Sequence, residues 1–457
     1  MTYQSLRIPE EPSVADLKAV LPDYTAMCIT VIRAIADRHD PAYPFINTKL
    51  DLITGQDFSA GDPIRGTGAI YGWIQGRALE ALAGHSRWLA FESGQQQLVD
   101  RLETITRQVL DQLRRMRDHN DGRLSFLMNP NGTPFGLDAN GRPCPLADSE
   151  TRPPGFSDLF ASKGMYAAAL YLGDEGVIVE AREYIDGVEE SIWDNTFRTD
   201  QISLDPKNPV EPKSGYYPQG PFMIQLGSAA LLTDAGHPTG IERGLALVEH
   251  ELGSYANVDE RVRGLEEGDF WEAVGEDGNP YRDDTGVLMS DPGHSLEFVG
   301  LAMKFIRAAE AAGYADEDQA ERLAEARDLL PTVLGRNFAN GFIPDPGGIS
   351  KAFDLVARKH LNTDMPWWNL PETIRSAAYC LAYSEDETEK AMCLHVFRDC
   401  HNAFLDFVRP DLHLMAYQTR NAAGDPVAVI PATADADPGY HTGLSLIDTI
   451  AVVENLS

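Results

Sequence analysis

Apolar residues recur at spacings of three and four over twelve stretches of this chain, near 14–38, 70–90, 94–118, 158–173, 174–195, 220–236, 238–255, 292–312, 316–338, 366–383, 385–408 and 440–455. Each stretch predicts a helix with one buried stripe. In the second, Ile74, Ala78, Ala81, Leu82, His85, Trp88 and Leu89 share a face; in the third, Leu98, Leu102, Ile105, Leu110 and Leu113 are interleaved with Arg and Asp, as on a helix wet on one side. The stretches also alternate in kind. Those starting near 70, 158, 220, 292, 366 and 440 are rich in Gly, Ala and aromatic residues, whereas their partners carry most of the charge. The first set therefore reads as inner and the second as outer. After a first interval of 88 residues the inner starts recur every 62 to 74, a structural repeat without obvious sequence identity. Six helical hairpins closing on themselves predict an all-α, (α/α)6 barrel of six inner and six outer helices, built from residues 1–457 as a single domain.

Strand signals are confined to connections. The segment 122–141 carries Asn-Gly turns at Asn131-Gly132 and Asn140-Gly141, which predicts a small β-hairpin over one mouth of the barrel. The long loops 197–219 and 266–292 are expected at that mouth too. In such a barrel the chain enters every inner helix from the same end, so residues at the inner-helix N-termini converge on one funnel.

Charge narrows the choice of ligand. The chain has 38 Lys and Arg against 70 Asp and Glu, a formal charge of -32, and such a field repels nucleic acid and anionic lipid surfaces. No apolar run of 18 residues and no basic, apolar leader is present, so a cytoplasmic location with no membrane partner is expected. Five scattered cysteines without a C-x-x-C are read as reduced core thiols rather than a disulfide or zinc framework. Phosphate-loop, dinucleotide and H-E-x-x-H patterns are absent.

Four motifs fall at inner-helix starts. Asp291-Pro292-Gly293-His294-Ser295-Leu296-Glu297 offers an Asp N-cap and Pro at the first helical position, which puts His294 in the first turn. There the helix dipole disfavours imidazolium, and Glu297, three residues on, is placed to accept a ring N–H and fix the tautomer. Such a pair is what proton abstraction beside a carbonyl requires. Asp437-Pro438-Gly439-Tyr440-His441 opens the last inner helix in nearly the same way and brings a second imidazole to the funnel. Trp73 and Arg77 lie four apart on one helical face, where the guanidinium can hold a carbonyl or hydroxyl oxygen or else a buried carboxylate. In Pro366-Trp367-Trp368-Asn369-Leu370-Pro371-Glu372, Trp368 is the aromatic for a sugar ring, Trp367 reads as core, and Glu372 is placed to bond sugar hydroxyls or a histidine.

These segments, Trp73-x-Gln75-Gly76-Arg77, Pro292-Gly293-His294-x-x-Glu297, Trp367-Trp368-x-x-x-Glu372 and the late His441, resemble in order the signatures of the N-acylglucosamine 2-epimerase superfamily, which includes mannose isomerases, cellobiose 2-epimerases and sulfoquinovose isomerases. The resemblance spans about residues 70–450. It implies a single catalytic domain, monomeric or homodimeric, that isomerises or epimerises a free saccharide at C2 through an enediolate. His294 and His441 would be the acid and base, Arg77 would bind the oxygen at the reacting carbons, and neither metal nor nicotinamide would be required. One departure stands out: where the family often has Met-His-x-x-Glu, this chain has Met223-Ile224-Gln225-Leu226-Gly227. Gln225 or Tyr217 is the expected replacement for the lost polar contact, and Gly227 the expected source of extra room for a larger sugar. Two rival readings remain, a glycoside hydrolase or lyase of the unsaturated uronyl hydrolase kind using Asp158, Asp283 and Asp284, and a non-catalytic sugar-binding homologue.

Overall fold

The computed structural model describes residues 6–146, 152–202, 204, 215–428 and 433–457. Its helices run in the predicted order: α1 (Val14–Asp37), α2 (Gly72–Leu89), α3 (Gln96–His119), α4 (Phe156–Leu172), α5 (Glu175–Trp193), α6 (Gly220–Asp234), α7 (Gly240–Tyr255), α8 (Pro292–Ala312), α9 (Glu317–Gly341), α10 (Asn369–Tyr383), α11 (Glu387–Leu405) and α12 (Ser445–Val453). The even-numbered helices form the inner ring, each packed on the next, and the turn Tyr440–Leu444 that leads into α12 returns to α2 and closes it. The odd-numbered helices lie outside. The protein is an (α/α)6 barrel.

Burial follows the predicted division. α6 is buried without a break from Gly220 to Ala230, as a helix enclosed on all sides must be, whereas α3 buries only the stripe that includes Leu98, Leu102, Ile105, Leu110 and Leu113. α1 is apolar and long enough to cross a membrane by composition alone, but here it packs on α12 and buries Leu17, Val20, Tyr24, Val31 and Ile35. Of the five cysteines, four are buried and Cys144 is half-buried, and none is paired in a disulfide.

The crossing of α2 and α4 is unusually close. A Cβ on Gly164 would lie 2.1 Å from the Gly76 carbonyl oxygen, and one on Gly76 would lie 2.6 Å from the Ala161 nitrogen. Backbone cannot yield as a flexible side chain can. Gly164→Ala is therefore expected to destabilise the fold by about 1–3 kcal/mol, read as a lowered midpoint in thermal or urea unfolding. This crossing fixes the height at which α2 presents Trp73 and Arg77.

Strand structure exceeds the single predicted hairpin: the described residues contain six small sheets. Both Asn-Gly turns form, with Asn129 N–H bonded to the Thr133 carbonyl and Asp138 N–H to that of Arg142. Four further pairings have a common role. Ile70–Tyr71 pairs with Leu127–Met128 just before α2, Tyr217–Pro218 with Ala273–Val274 before α6, Met289–Ser290 with Ala352–Asp354 before α8, and Met365–Pro366 with Thr419–Arg420 before α10. Each tethers an inner-helix N-terminus to a loop at the same mouth. Strands of two residues hold too little alternation to be legible in sequence. Of the loop 197–219, residues 203 and 205–214 lie outside the described residues; Tyr216 and Tyr217, with Glu272 and Glu276 of the loop 266–292, stand at the mouth as expected.

Candidate active site

The inner-helix N-termini surround a cavity of about 900 Å3. His294, Glu297, His441, Arg77, Trp73, Trp368 and Tyr217 all line it, whereas Gln225 and Glu372 do not.

His294 sits in the first turn of α8 as predicted. Asp291 caps the helix through the Gly293 N–H at 3.1 Å, and Pro292 follows at the first helical position. Its ring partner differs from the expected one: Nδ1 meets Glu272 Oε1 at 2.9 Å and Asp291 Oδ2 at 3.4 Å, and no hydrogen bond joins it to Glu297. Lys351 is bonded to the same Asp291 oxygen, Oδ2. Burial alone would lower the His294 pKa, but the carboxylates of Asp291 and Glu272 outweigh both burial and the Lys351 ammonium and push it up to about 9. The expectation of a neutral ring is thus reversed, because two adjacent carboxylates exceed the roughly half charge of a helix terminus.

The sign of the pH effect follows. Since the folded pKa lies above the ordinary value of about 6.5, the imidazolium stabilises the fold fully below that pH, and the contribution fades as pH rises through about 9. An NMR titration of the His294 ring is expected to show a midpoint near 9. In Glu272→Gln, which keeps the size of the side chain and removes its charge, the midpoint is expected to fall. An unmoved midpoint would show that Glu272 does not hold the proton there.

His441 is delivered differently. The Asp437 carboxylate accepts from the backbone N–H groups of Tyr440, His441 and Thr442 at 3.2, 3.3 and 3.5 Å, and Gly439, with φ of 84°, makes the turn that a side chain would strain. The following residues, Tyr440–Leu444, form a π-turn rather than the regular helix start expected, a deformation often found where a side chain is aimed at a site. His441 Nδ1 bonds Glu372 Oε1 at 2.9 Å, and Ser445 Oγ donates to the same oxygen at 2.8 Å. Arg375 is bonded to Glu372 Oε2. Burial alone would raise the Glu372 pKa, yet Arg375 and His441 bring it down to about 2. Both of its oxygens are committed, and of the two partners the sequence offered Glu372, sugar hydroxyls or a histidine, the structure supplies the histidine.

Trp368 holds the two histidines in register: its ring lies 5.5 Å from His294 at 30° and 5.5 Å from His441 at 33°. Trp367, nearly buried, packs edge-on to His441 at 5.9 Å. Glu297 faces the cavity, and burial together with the nearby Glu372 raises its pKa. Among the described residues, Glu297, Glu372 and His441 are the one set with ligand atoms close enough for a cation, all within 4.8 Å. Two of the three, Glu372 and His441, already belong to a charge-assisted network with Ser445 and Arg375.

Arg77 is buried against aromatic faces, its guanidinium 4.1 Å from the centre of Phe160, 5.6 Å from Tyr440 and 6.0 Å from Trp73. Its Nε is buried with no hydrogen-bond partner among the described residues, and burial lowers its pKa. Trp73 is braced by its indole N–H to Asp200 at 3.0 Å and by an edge contact to Phe126 at 5.1 Å.

Around the family's missing His and Glu, the structure corrects two expectations. Gln225 points away from the cavity and donates to Glu189 on α5 at 2.8 Å, because one residue along a helix turns a side chain about 100° from Ile224, which does line the cavity. Gly227 adds no room, for the Lys163 chain fills its place: a Cβ there would lie 2.9 Å from Lys163 Nζ. That ammonium pairs with Glu80 at 2.9 Å and donates to the Tyr440 hydroxyl at 2.6 Å. Sequence reasoning missed Glu272, Lys351 and Lys163, which carry no periodic signal; only the placement of loop 266–292 at the mouth pointed towards the first.

The rival carboxylates lie elsewhere. Asp158 is a buried structural cap that accepts from Leu124 and Gly155 N–H and the Tyr184 hydroxyl at 2.8, 3.0 and 2.5 Å, and neither Asp283 nor Asp284 lines the cavity.

An inner-ring funnel with two carboxylate-braced histidines, a stacked guanidinium and a tryptophan between the imidazoles defines an (α/α)6 barrel of the sugar-handling kind. The chain belongs to the N-acylglucosamine 2-epimerase (GlcNAc 2-epimerase) family, whose sequence profile matches residues 159–442. Similar solved structures include the cellobiose 2-epimerase of Bacillus thermoamylovorans B4167, at 11% identity and TM-score 0.67 over 95% of this chain and 99% of that one. The cellobiose 2-epimerase of Spirochaeta thermophila DSM 6192 aligns at 13% identity and TM-score 0.66 over 96% and 98%. A D-mannose isomerase aligns at 15% identity and TM-score 0.60 over 100% of both chains. At these identities the likeness establishes the fold. No curated protein matches the sequence.

Proposed function

We propose that this chain, acting as one catalytic domain, is a carbohydrate isomerase or 2-epimerase that moves the C2 proton of a free, ring-opened saccharide through an enediolate. Family membership supports the class of reaction. The observation that carries the mechanism is that two histidines from separate inner helices open onto one cavity, each with Nδ1 committed to a carboxylate at 2.9 Å. This leaves Nε2 as the reactive nitrogen of both.

Their environments divide the labour. His294 retains its proton up to about pH 9 and is the acid. His441, whose Nδ1–H points at the ionised Glu372, is the base: its Nε2 takes the C2 proton, the C2–H electron pair becomes the C1=C2 bond, and the carbonyl π pair moves onto the oxygen to give the enediolate. Arg77, short of a partner in the cavity wall, binds the oxygen on which charge develops. A proton delivered to the other face of C2 gives the epimer; one delivered to C1 gives the ketose. The hydrolase reading lacks support because its carboxylates lie outside the cavity.

The test is a screen of free mono- and disaccharides in deuterated water. Deuterium appearing at C2 of a substrate is the expected result, and a reducing end released from a glycoside without such exchange would replace this reading with hydrolysis.

A further inference from the structure

The inner helices give the cavity two unlike walls. α8, the lead-in to α10 and the turn before α12 contribute His294, Glu297, Trp368, Asp437 and His441, and Lys351 adds a cation beside them. On α4 and α6, by contrast, the described lining side chains are Phe156, Phe160, Pro221, Phe222, Met223 and Ile224, with not one hydrogen-bonding group. The donors carried by these two helices are turned away, Gln225 to Glu189 and Lys163 to Glu80 and Tyr440, and the hydrogen-bonding side chains on this side, Asn195, Arg198, Thr199, Gln201, Tyr216 and Tyr217, come from the loops at the mouth. The aromatic members are also locked in place, Phe156 edge-on to Phe197 at 5.1 Å and tilted against Trp73 at 5.2 Å, so this wall is built and does not await a polar side chain from a rotamer change.

A sugar hydroxyl against such a wall gives up water and gains no partner, at a cost of about 1–3 kcal/mol each. A wall of this kind favours C–H surface instead. At about 900 Å3 the cavity lies near the upper end of the range of about 300–1,000 Å3 for ligand pockets, so it holds more than the reacting carbons.

We infer that the α4–α6 wall is an apolar subsite, and that the substrate is a saccharide whose end remote from C1 and C2 carries an apolar group, a deoxy carbon or an acyl or alkyl substituent, in place of free hydroxyls. This rests on the proposed reaction, because it presumes that C1 and C2 lie at the histidines.

Equilibrium binding separates the two ideas, since it needs no turnover. D-mannose, 6-deoxy-D-mannose and 6-O-butanoyl-D-mannose are titrated calorimetrically into the wild-type protein and into Ile224→Gln. The expected order of affinity is mannose, then the deoxy sugar, then the ester, with at least a tenfold gain from first to last in the wild type and a smaller ratio in Ile224→Gln. Equal affinity for the three, absence of binding by all of them, or a preference for mannose overturns the subsite. The expected order without deuterium exchange at C2 keeps the subsite and overturns the reaction. A lowered ratio in Ile224→Gln with an unchanged unfolding midpoint excludes misfolding as its cause.

Discussion

Replacing His441 by alanine is expected to lower turnover by about two to four orders of magnitude, the usual worth of a positioned acid or base. Deuterium exchange into C2 should fall in parallel, because the residue takes the proton that exchanges. His294→Ala is expected to lose a comparable factor by removing the acid, and the two losses should not multiply, since each half-reaction needs both groups. Steady-state rates and exchange rates on a reacting sugar provide the measurement. If both variants keep wild-type turnover, the histidines leave the mechanism. Glu372→Gln gives an intermediate control: it retains the shape but removes the charge that His441 faces, so kcat should drop while KM changes little.

Arg77→Lys is expected to reduce kcat/KM by about 100- to 1000-fold, the range seen when one preorganised donor to a developing oxyanion is lost. The substitution keeps the charge and discards the planar fork and its stacking on Phe160 at 4.1 Å. The loss should fall mainly on kcat, for an interaction that strengthens as the enediolate forms does little for the ground state. A change confined to KM, or a collapse of the unfolding midpoint that matches the lost activity, would mean that the guanidinium serves binding or packing instead.

His294 and Glu272 illustrate why sequence spacing finds a residue and mistakes its neighbours. The N-cap Asp291 and Pro292 were legible because capping is local, and they do place His294 in the first turn of α8. The ring's carboxylate partner was expected at Glu297 from helical spacing, yet Glu272 reaches it from a loop twenty-two residues upstream. That change of partner also turns a ring expected to be neutral into one that keeps its proton to about pH 9. Glu372 shows the same from the other side: spacing put it near Trp368, and only packing shows its two oxygens held by His441, Ser445 and Arg375. Gln225, adjacent in sequence to a cavity residue, faces outward because a helix turns about 100° per residue.

What the sequence determined by itself was the ring. Helix number, order and inner or outer character follow from apolar periodicity and local caps, which are set by residues a few positions apart. Those same local signals put two histidines, an arginine and a tryptophan at inner-helix starts. The tertiary structure decided the electrostatics and the division of the cavity: which carboxylate faces which imidazole, that Lys163 occupies the space left by Gly227, and that α4 and α6 present an unbroken apolar wall. The reason is that charge–charge interactions and burial act through space between segments tens to hundreds of residues apart, whereas helical periodicity is written within a single turn.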